Sequence, residues 1–177
     1  MTKKEIEKNY KKLLDQKLNL DLTRGQPSKE QLKLSEPMDQ ILKNKFNFDG
    51  EDLRNYGLIK GLDSTRKLGA ILLGINYKNV IANGTSSLNL TSMVIQALFF
   101  KGINGEAWKH YKKISFLCPV PGYDRHFSLL EMMGINMINV PLKGDGPDMD
   151  YAEKLVKKDK SIKGIICVPK HSNPTGE

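Results

Sequence analysis

The chain has 177 residues, enough for one domain with a substantial core, and a globular composition with 39% hydrophobic and 27% charged residues. Its formal net charge of +8 comes mostly from lysines that are scattered among acidic residues, with no basic stripe interleaved with aromatics. We interpret them as a solvated surface and expect neither nucleic acid nor a membrane as a partner. A basic nucleic-acid binder is the alternative that charge alone leaves open.

The start of the chain and its two cysteines indicate the compartment. Residues 1–18 are charged throughout and lack the apolar core of a signal peptide. Cys118 and Cys167 both lie in apolar, strand-like runs. Reduced core thiols are more common in such runs than a disulfide or a metal site. We therefore expect a cytoplasmic protein without a metal centre.

Helical patterns and loops alternate over the N-terminal third. Residues 3–18 place apolar side chains on one side of an amphipathic helix, and residues 31–48 carry weaker helical signals interrupted by Pro37. Asp63 and Ser64 are expected to cap a helix over residues 65–73, which Gly74 stops. Loops are predicted at residues 21–28 and 54–62.

A strand, a glycine turn and a helix are predicted from residue 79 onward. Residues 79–83 are apolar enough for a short strand, and the apolar residues from Leu88 to Leu98 suit a helix buried on most of its surface. Between them lies a polar turn of Gly84, Thr85, Ser86 and Ser87.

This turn has the features of an anion-binding site. The first N–H groups of a helix have no partner within it, and the helix dipole favours negative charge. Gly84 lets the backbone approach a ligand closely, while Thr85, Ser86 and Ser87 offer hydroxyl donors. An ordinary serine N-cap after a turn glycine is the alternative interpretation.

Three apolar runs predict further strands, at residues 114–120, 136–142 and 164–169, and helices are predicted between them at residues 124–133 and 148–158. Continuous apolar strands that alternate with helices are typical of a parallel sheet covered on both faces. We therefore predict an α/β fold: a three-layer α/β/α arrangement with a mostly parallel sheet, preceded by N-terminal helices and loops. The expected division is an N-terminal helical arm at residues 1–50 and an incomplete large domain at residues 51–177, because the chain ends where such a sheet should continue.

Polar loops follow three of the predicted strands. Because ligands of open parallel sheets bind at the carboxyl ends of the strands, we expect Gly84, Thr85, Tyr123 and Asn173 to converge on one cleft. Together they offer anion donors, an aromatic face and an amide side chain, a set that suits a planar, phosphorylated ring. Each loop could also be a plain turn.

These loops make the sequence resemble a known family. It is similar to the N-terminal part of the class I/II aminotransferases, which belong to the fold type I group of pyridoxal-phosphate enzymes. The amino-acid sequence of its last third is similar to that of the bacterial aspartate aminotransferase-like branch. The segments that carry the resemblance occur in the family's order over nearly the whole chain: LTRGQP at 22–27, YG at 56–57, KGL at 60–62, NGTSS at 83–87, VPGY at 120–123 and SNPTG at 172–176.

The resemblance implies a cofactor, pyridoxal 5'-phosphate, and roles for individual residues. Gly84, Thr85 and Ser86 would bind the cofactor phosphate, Tyr123 would stack on the pyridine ring, and Asn173 would bond to its phenolic oxygen. It further implies that Gly25 lies where the substrate carboxylate approaches. Tyr56 resembles the tyrosine that reaches the phosphate of the neighbouring subunit, so a homodimer is expected for the full-length protein.

The resemblance also implies what these residues lack. The family's Schiff-base lysine lies downstream of the Asn-Pro-Thr-Gly segment, so no catalytic residue is expected within residues 1–177, and Lys170 is interpreted as a polar loop residue. We expect a full protein that exchanges an amino group between an amino acid, aspartate or similar, and a 2-oxo acid, and an inactive 1–177 chain. A carbon–sulfur lyase of the same fold and a non-catalytic remnant or interaction module are the alternatives.

Overall fold

A computed structural model describes residues 1–19, 25–144 and 146–176. The chain divides into two compact units, Met1–Leu58 and Ile59–Glu177, which are described separately. The predicted division after residue 50 stays a prediction.

The first unit is built from short elements. Helix α1 spans Lys3–Asp15 and starts with a capping box between Thr2 and Glu5, so the helix predicted over residues 3–18 is confirmed with an earlier end. Helix α2 spans Lys29–Lys33, and β1 (Asn47–Phe48) pairs antiparallel with β2 (Glu51–Asp52). Part of the loop predicted at residues 21–28 lies outside the described residues, and residues 25–28 are irregular.

The weaker helical signals over residues 31–48 correspond to little regular helix. Beyond α2 there is one 3-10 turn, Glu36–Met38, which contains Pro37. Proline lacks the N–H that a continuing helix needs, which accounts for the interruption.

The second unit is organised around a three-stranded sheet. Its strands are β3 (Ser115–Val120), β4 (Asn136–Pro141) and β5 (Ile162–Ile165), in the order β4-β3-β5. Both neighbouring pairs are parallel, which confirms the predicted parallel sheet. The third strand was predicted to end at Pro169, but it ends four residues earlier, at Ile165. Regular pairing stops there, and Pro169 has no N–H to donate to a ladder.

Helices cover both faces of this sheet. They are α4 (Ser87–Phe100), α5 (Asp124–Met132) and α6 (Met149–Lys158). Helix α3 (Asp63–Leu73) lies against the Tyr77–Asn79 turn. Along β3, Phe116 packs with Ile95 and Leu130 in one core cluster, whereas Leu117 packs with Ala152 of α6 in the other. Successive strand residues point to opposite faces, so the two clusters lie on opposite sides of the sheet and the fold is α/β in three layers.

The strand predicted at residues 79–83 is wrong. Tyr77–Asn79 forms a 3-10 turn, and the chain is then extended without belonging to a strand. Val80 has strand-like dihedrals and is buried, so the local preference was correctly inferred. A strand also needs a ladder partner, and among the described residues Ala82 bonds only to the carbonyl of Lys60 in a loop.

Two helix predictions also need correction. Helix α3 begins at Asp63 with Leu62 as its N-cap, so Asp63 and Ser64 lie inside its first turn instead of capping it. Gly74 ends it in the left-handed conformation, as expected. Helix α4 is less buried than predicted: Ile95 is 3% exposed, but Val94 is 59% exposed, because the described residues cover only one side of it.

Candidate functional site

The turn that leads into α4 has the geometry of an anion-binding helix start. Gly84 adopts a φ of 58°, a left-handed conformation that side chains other than glycine rarely take. Ser86 is the N-cap, and its Oγ accepts from the N–H of Asn89 at 3.3 Å. A hydroxyl that accepts one bond can still donate its hydrogen, so the cap and a bond from Ser86 to an anion are compatible.

The extended segment before this turn is held by groups outside any sheet. The N–H of Ala82 donates to the carbonyl of Lys60 at 2.9 Å. A Cβ on Gly61 would collide with the Ala82 carbonyl, so only glycine permits this close approach. Arg66 of α3 donates from Nε to the Val80 carbonyl at 3.0 Å and from Nη2 to the Tyr77 carbonyl at 3.2 Å.

A second loop, at the carboxyl end of β3, places Tyr123. A Cβ on Gly122 would lie 2.6 Å from the Pro119 carbonyl oxygen and 2.8 Å from the Phe127 ring. Tyr123 is half-buried at the start of α5, and its ring meets the His126 ring edge to face, with 5.2 Å between centroids. This contact fixes an aromatic face at the strand end.

His126, which contacts Tyr123, has a perturbed pKa because it is partly buried. Burial lowers the pKa of His126, since desolvation disfavours the imidazolium. The neutral form of the imidazole beside Tyr123 is therefore favoured.

The third loop follows β5 and carries Asn173. Lys170 directs its Nζ to the Leu72 carbonyl at the end of α3, at 3.1 Å, and the N–H of Gly176 donates to the Ser172 carbonyl at 2.5 Å. Asn173 is exposed. The ammonium of Lys170 therefore donates to a helix carbonyl, which agrees with its interpretation as a polar loop residue.

Two of these loops share a small cleft. Tyr123 and Ser172 both line it, together with Cys167 and residues around Pro121. Gly84, Thr85, Ser86 and Asn173 are not among its lining residues. The predicted convergence of Gly84, Thr85, Tyr123 and Asn173 on one cleft therefore stays a prediction.

Two predicted site residues lie in the first unit. Tyr56 is 98% exposed, and a Cβ on Gly25 would have no described residue within 4 Å. Within the described ranges, no cluster of His, Cys, Asp or Glu side chains could hold a metal ion, and no helix is long and apolar enough to cross a membrane.

The donor set of the second unit fits a phosphorylated aromatic ring. The Gly84–Ser86 turn supplies backbone N–H and hydroxyl donors at a helix start, where an anion is favoured. Tyr123 supplies an aromatic face and Asn173 an amide.

Solved structures identify the class of this fold. A crystal structure of an aspartate transaminase from Corynebacterium glutamicum superposes with a TM-score of 0.81 at 43% identity, over 97% of this chain and 41% of that chain. The kynurenine aminotransferase of Pyrococcus horikoshii gives a TM-score of 0.64 over 98% of this chain and 44% of that one, and at 19% identity it shows the fold alone. The chain thus has the fold of the fold type I aminotransferases.

The sequence comparison narrows this class to one family. The aspartate aminotransferase family model matches residues 1–177. The aspartate aminotransferase of Corynebacterium glutamicum is 44% identical over 177 residues, which are 97% of this chain and 40% of that protein. The chain therefore belongs to the aspartate aminotransferase family, a family of enzymes, and spans less than half the length of that relative.

Sequence reasoning missed Arg66 and His126. Arg66 is one of the few arginines in a lysine-rich chain, and its position one turn into a helix was a usable signal. Its acceptors are backbone carbonyls 11 and 14 residues away, which no side-chain pattern reveals. His126 is three residues after Tyr123, a spacing that puts both on one side of a helix start.

Proposed function

We propose that this chain is the N-terminal, cofactor-binding part of a pyridoxal-phosphate-dependent aminotransferase that acts on aspartate or a similar amino acid and a 2-oxo acid. The observation that carries the proposal is the Gly84–Ser87 turn at the start of α4, within a chain of this family. The name of the relative from Corynebacterium glutamicum at 44% identity supports aspartate as the amino donor.

The binding of the cofactor divides into two contributions. The backbone N–H groups at the start of α4 and the hydroxyls of Thr85 and Ser86 would hold the phosphate through charge-assisted hydrogen bonds. Tyr123 would stack against the ring and exclude water from that face, and the Asn173 amide would donate to the ring's phenolic oxygen. The cofactor, when bound, acts as an electron sink for the substrate carbanion.

The first unit would contribute to substrate recognition and assembly. No described residue lies within 4 Å of a Cβ added at Gly25, which is compatible with a substrate carboxylate approaching there. The almost fully exposed Tyr56 suits a residue that reaches the phosphate of a second subunit, so we include a homodimer of the full-length protein in the proposal.

Transfer of function to a complete enzyme tests the proposal. Residues 1–177 are fused to the C-terminal part of the Corynebacterium glutamicum relative, and transamination of aspartate with 2-oxoglutarate is assayed with pyridoxal 5'-phosphate present. We expect turnover by the fusion and none by the 1–177 chain alone, whose residues after Asn173 include no lysine.

Matched variants connect this activity to the proposed site. Asn173→Ala in the fusion should reduce turnover at least about tenfold, equivalent to about 1.4 kcal/mol, by removing the ring contact. Asn9→Ala, at an exposed position of α1, is the control and should change nothing. A fusion that folds but only eliminates a thiol from a cysteine-type substrate would replace the proposal with the carbon–sulfur lyase. A folded fusion inactive in both assays would favour the non-catalytic alternative.

A further inference from the structure

One face of α3 contacts the segment that leads into the Gly84–Ser87 turn. The Arg66 side chain is 11% exposed and donates to the carbonyls of Val80 and Tyr77. One turn further along, Gly69 lies against Val80: an added Cβ would be 3.2 Å from the Val80 Cγ1 atom. Positions three apart share a helix face, so Arg66 and Gly69 act on the segment together.

One hydrogen bond of Arg66, to the Val80 carbonyl, takes the place of a missing sheet ladder bond, and the other reaches the Tyr77 carbonyl in the preceding 3-10 turn. The segment is extended but belongs to no strand within the described residues, so its carbonyls need other partners. A planar guanidinium reaches two carbonyls at once, and Asp63 holds it from the other side at 2.8 Å. The Arg66 side chain also lies over the Tyr77 ring, 5.3 Å from its centroid. The position of Val80, four residues before Gly84, is therefore set by α3.

The far end of the same helix contacts the loop of Asn173. The Leu72 carbonyl, in the last turn of α3, accepts from Lys170 Nζ at 3.1 Å. A cation at this end is favoured by the helix dipole. Lys170 is three residues before Asn173 and 98 residues from Leu72, so the bond joins distant parts of the chain.

We propose that α3 is a brace between the two halves of the cofactor site, with Arg66 and Lys170 as its positioning residues. Arg66 fixes the phosphate-binding turn, and Lys170 fixes the loop whose Asn173 contacts the ring. This inference rests on the proposed function, since it assigns the two residues to two parts of the same ligand.

The proposal predicts different effects of the two residues on ligand affinity. Pyridoxamine 5'-phosphate and pyridoxamine differ only in the phosphate, and neither has the aldehyde that would react with surface lysines. Loss of Arg66 should weaken binding of the phosphorylated compound alone. Loss of Lys170 should weaken both compounds by the same factor, because Asn173 contacts the ring that they share.

The experiment titrates the 177-residue chain with both compounds and follows its backbone amides by NMR. For Arg66→Met we expect about a tenfold rise in the dissociation constant of pyridoxamine 5'-phosphate, equivalent to about 1.4 kcal/mol, with pyridoxamine unchanged within twofold. Arg66→Lys, which keeps the charge but not the fork, should show a smaller rise. For Lys170→Met both constants should rise, and Lys170→Arg should restore them.

Matched controls remove an arginine or a lysine elsewhere. Arg54→Met removes an exposed guanidinium that bonds Asp52 in the first unit, and Lys112→Met removes an exposed lysine. Neither should alter either constant. Hydrogen exchange provides an independent measurement: Arg66→Met should speed amide exchange over residues 80–86, and Lys170→Met over residues 170–176.

The outcomes separate this inference from the proposed function. If the unaltered chain binds both compounds equally, the phosphate site is wrong and the proposed function fails with it. If the unaltered chain prefers the phosphorylated compound but Arg66→Met keeps that preference and the exchange rates, the brace is wrong and the proposed function stands. Should Arg66→Met fail to fold, Arg66→Lys and the Lys170 pair decide by the same readings.

Discussion

Replacement of Gly122 by alanine tests how the loop that carries Tyr123 is built. The added Cβ would lie 2.6 Å from the Pro119 carbonyl oxygen and 2.8 Å from the Phe127 Cζ atom. Phe127 is a side chain and can shift, whereas the Pro119 carbonyl belongs to β3. The loop must therefore move away from the strand end.

The expected cost follows from that collision. Overpacking of this kind destabilises by about 1–3 kcal/mol. With a urea dependence of about 2 kcal/mol per molar, the unfolding midpoint should fall by about 0.5–1.5 M. Circular dichroism during urea titration measures it. Because Tyr123 follows directly, binding of pyridoxamine 5'-phosphate should weaken in the variant even where it is folded.

Gly146→Ala is the matched control for this experiment. Among the described residues, nothing lies within 4 Å of a Cβ added at Gly146. Its replacement should leave the midpoint unchanged or raise it slightly, since alanine restricts the unfolded chain. If Gly122→Ala and Gly146→Ala had the same midpoint, the close packing of the loop against Pro119 would be refuted.

Three further predictions concern single side chains. Ser86→Ala removes the N-cap of α4 and should lower the free energy of unfolding in urea by about 1 kcal/mol. Ser86→Asp should keep the cap but abolish phosphate-dependent binding by charge repulsion, and equal binding by Ser86→Asp and the unaltered chain would contradict the phosphate site. Burial raises the pKa of Cys118 to about 11, so at pH 8 iodoacetamide should label the exposed Cys167 and leave Cys118 unmodified in the folded chain. Mass spectrometry measures the labelling, and prompt labelling of Cys118 would show that β3 is open to solvent. Burial lowers the pKa of His126 below its unfolded value, so the unfolded state binds more protons and the free energy of unfolding should decline as pH falls below 7. His126→Phe, which keeps an aromatic edge against Tyr123, should make stability less dependent on pH, and an unchanged pH dependence would refute the assignment.

The sheet could be predicted because its strands carry their own signal. Residues of β3 are apolar on both faces, and this continuous pattern is what a strand between two helical layers requires. Residues 79–83 carry a similar pattern but pair with no strand in the described structure, since strand formation depends on a partner as well as on local preference.

The sequence predicted the residues proposed to meet the ligand, but not the contacts that hold them in place. The Gly84–Ser87 turn could be located because a left-handed glycine and a serine N-cap are local features. The supporting contacts could not: Arg66 donates to backbone carbonyls, and Lys170 bonds across 98 residues to Leu72. Such contacts depend on tertiary placement, since any side chain that carries a hydrogen-bond donor can bond to any carbonyl within reach. Asp63 illustrates the same limit, because it pairs with Arg66 inside α3 where a cap was expected.

A single NMR titration tests most directly the claim that the Gly84–Ser86 turn, Tyr123 and Asn173 form one site for a phosphorylated pyridine ring. Pyridoxamine 5'-phosphate is added to the isotope-labelled 177-residue chain, and the backbone amides are followed one by one. The account predicts that the amides of Gly84, Thr85, Ser86, Tyr123 and Asn173 shift along one common saturation curve, with a dissociation constant of about 1 mM or weaker. Shifts spread over lysine-rich surfaces, or separate curves for the Gly84–Ser86 turn and for Asn173, would contradict it.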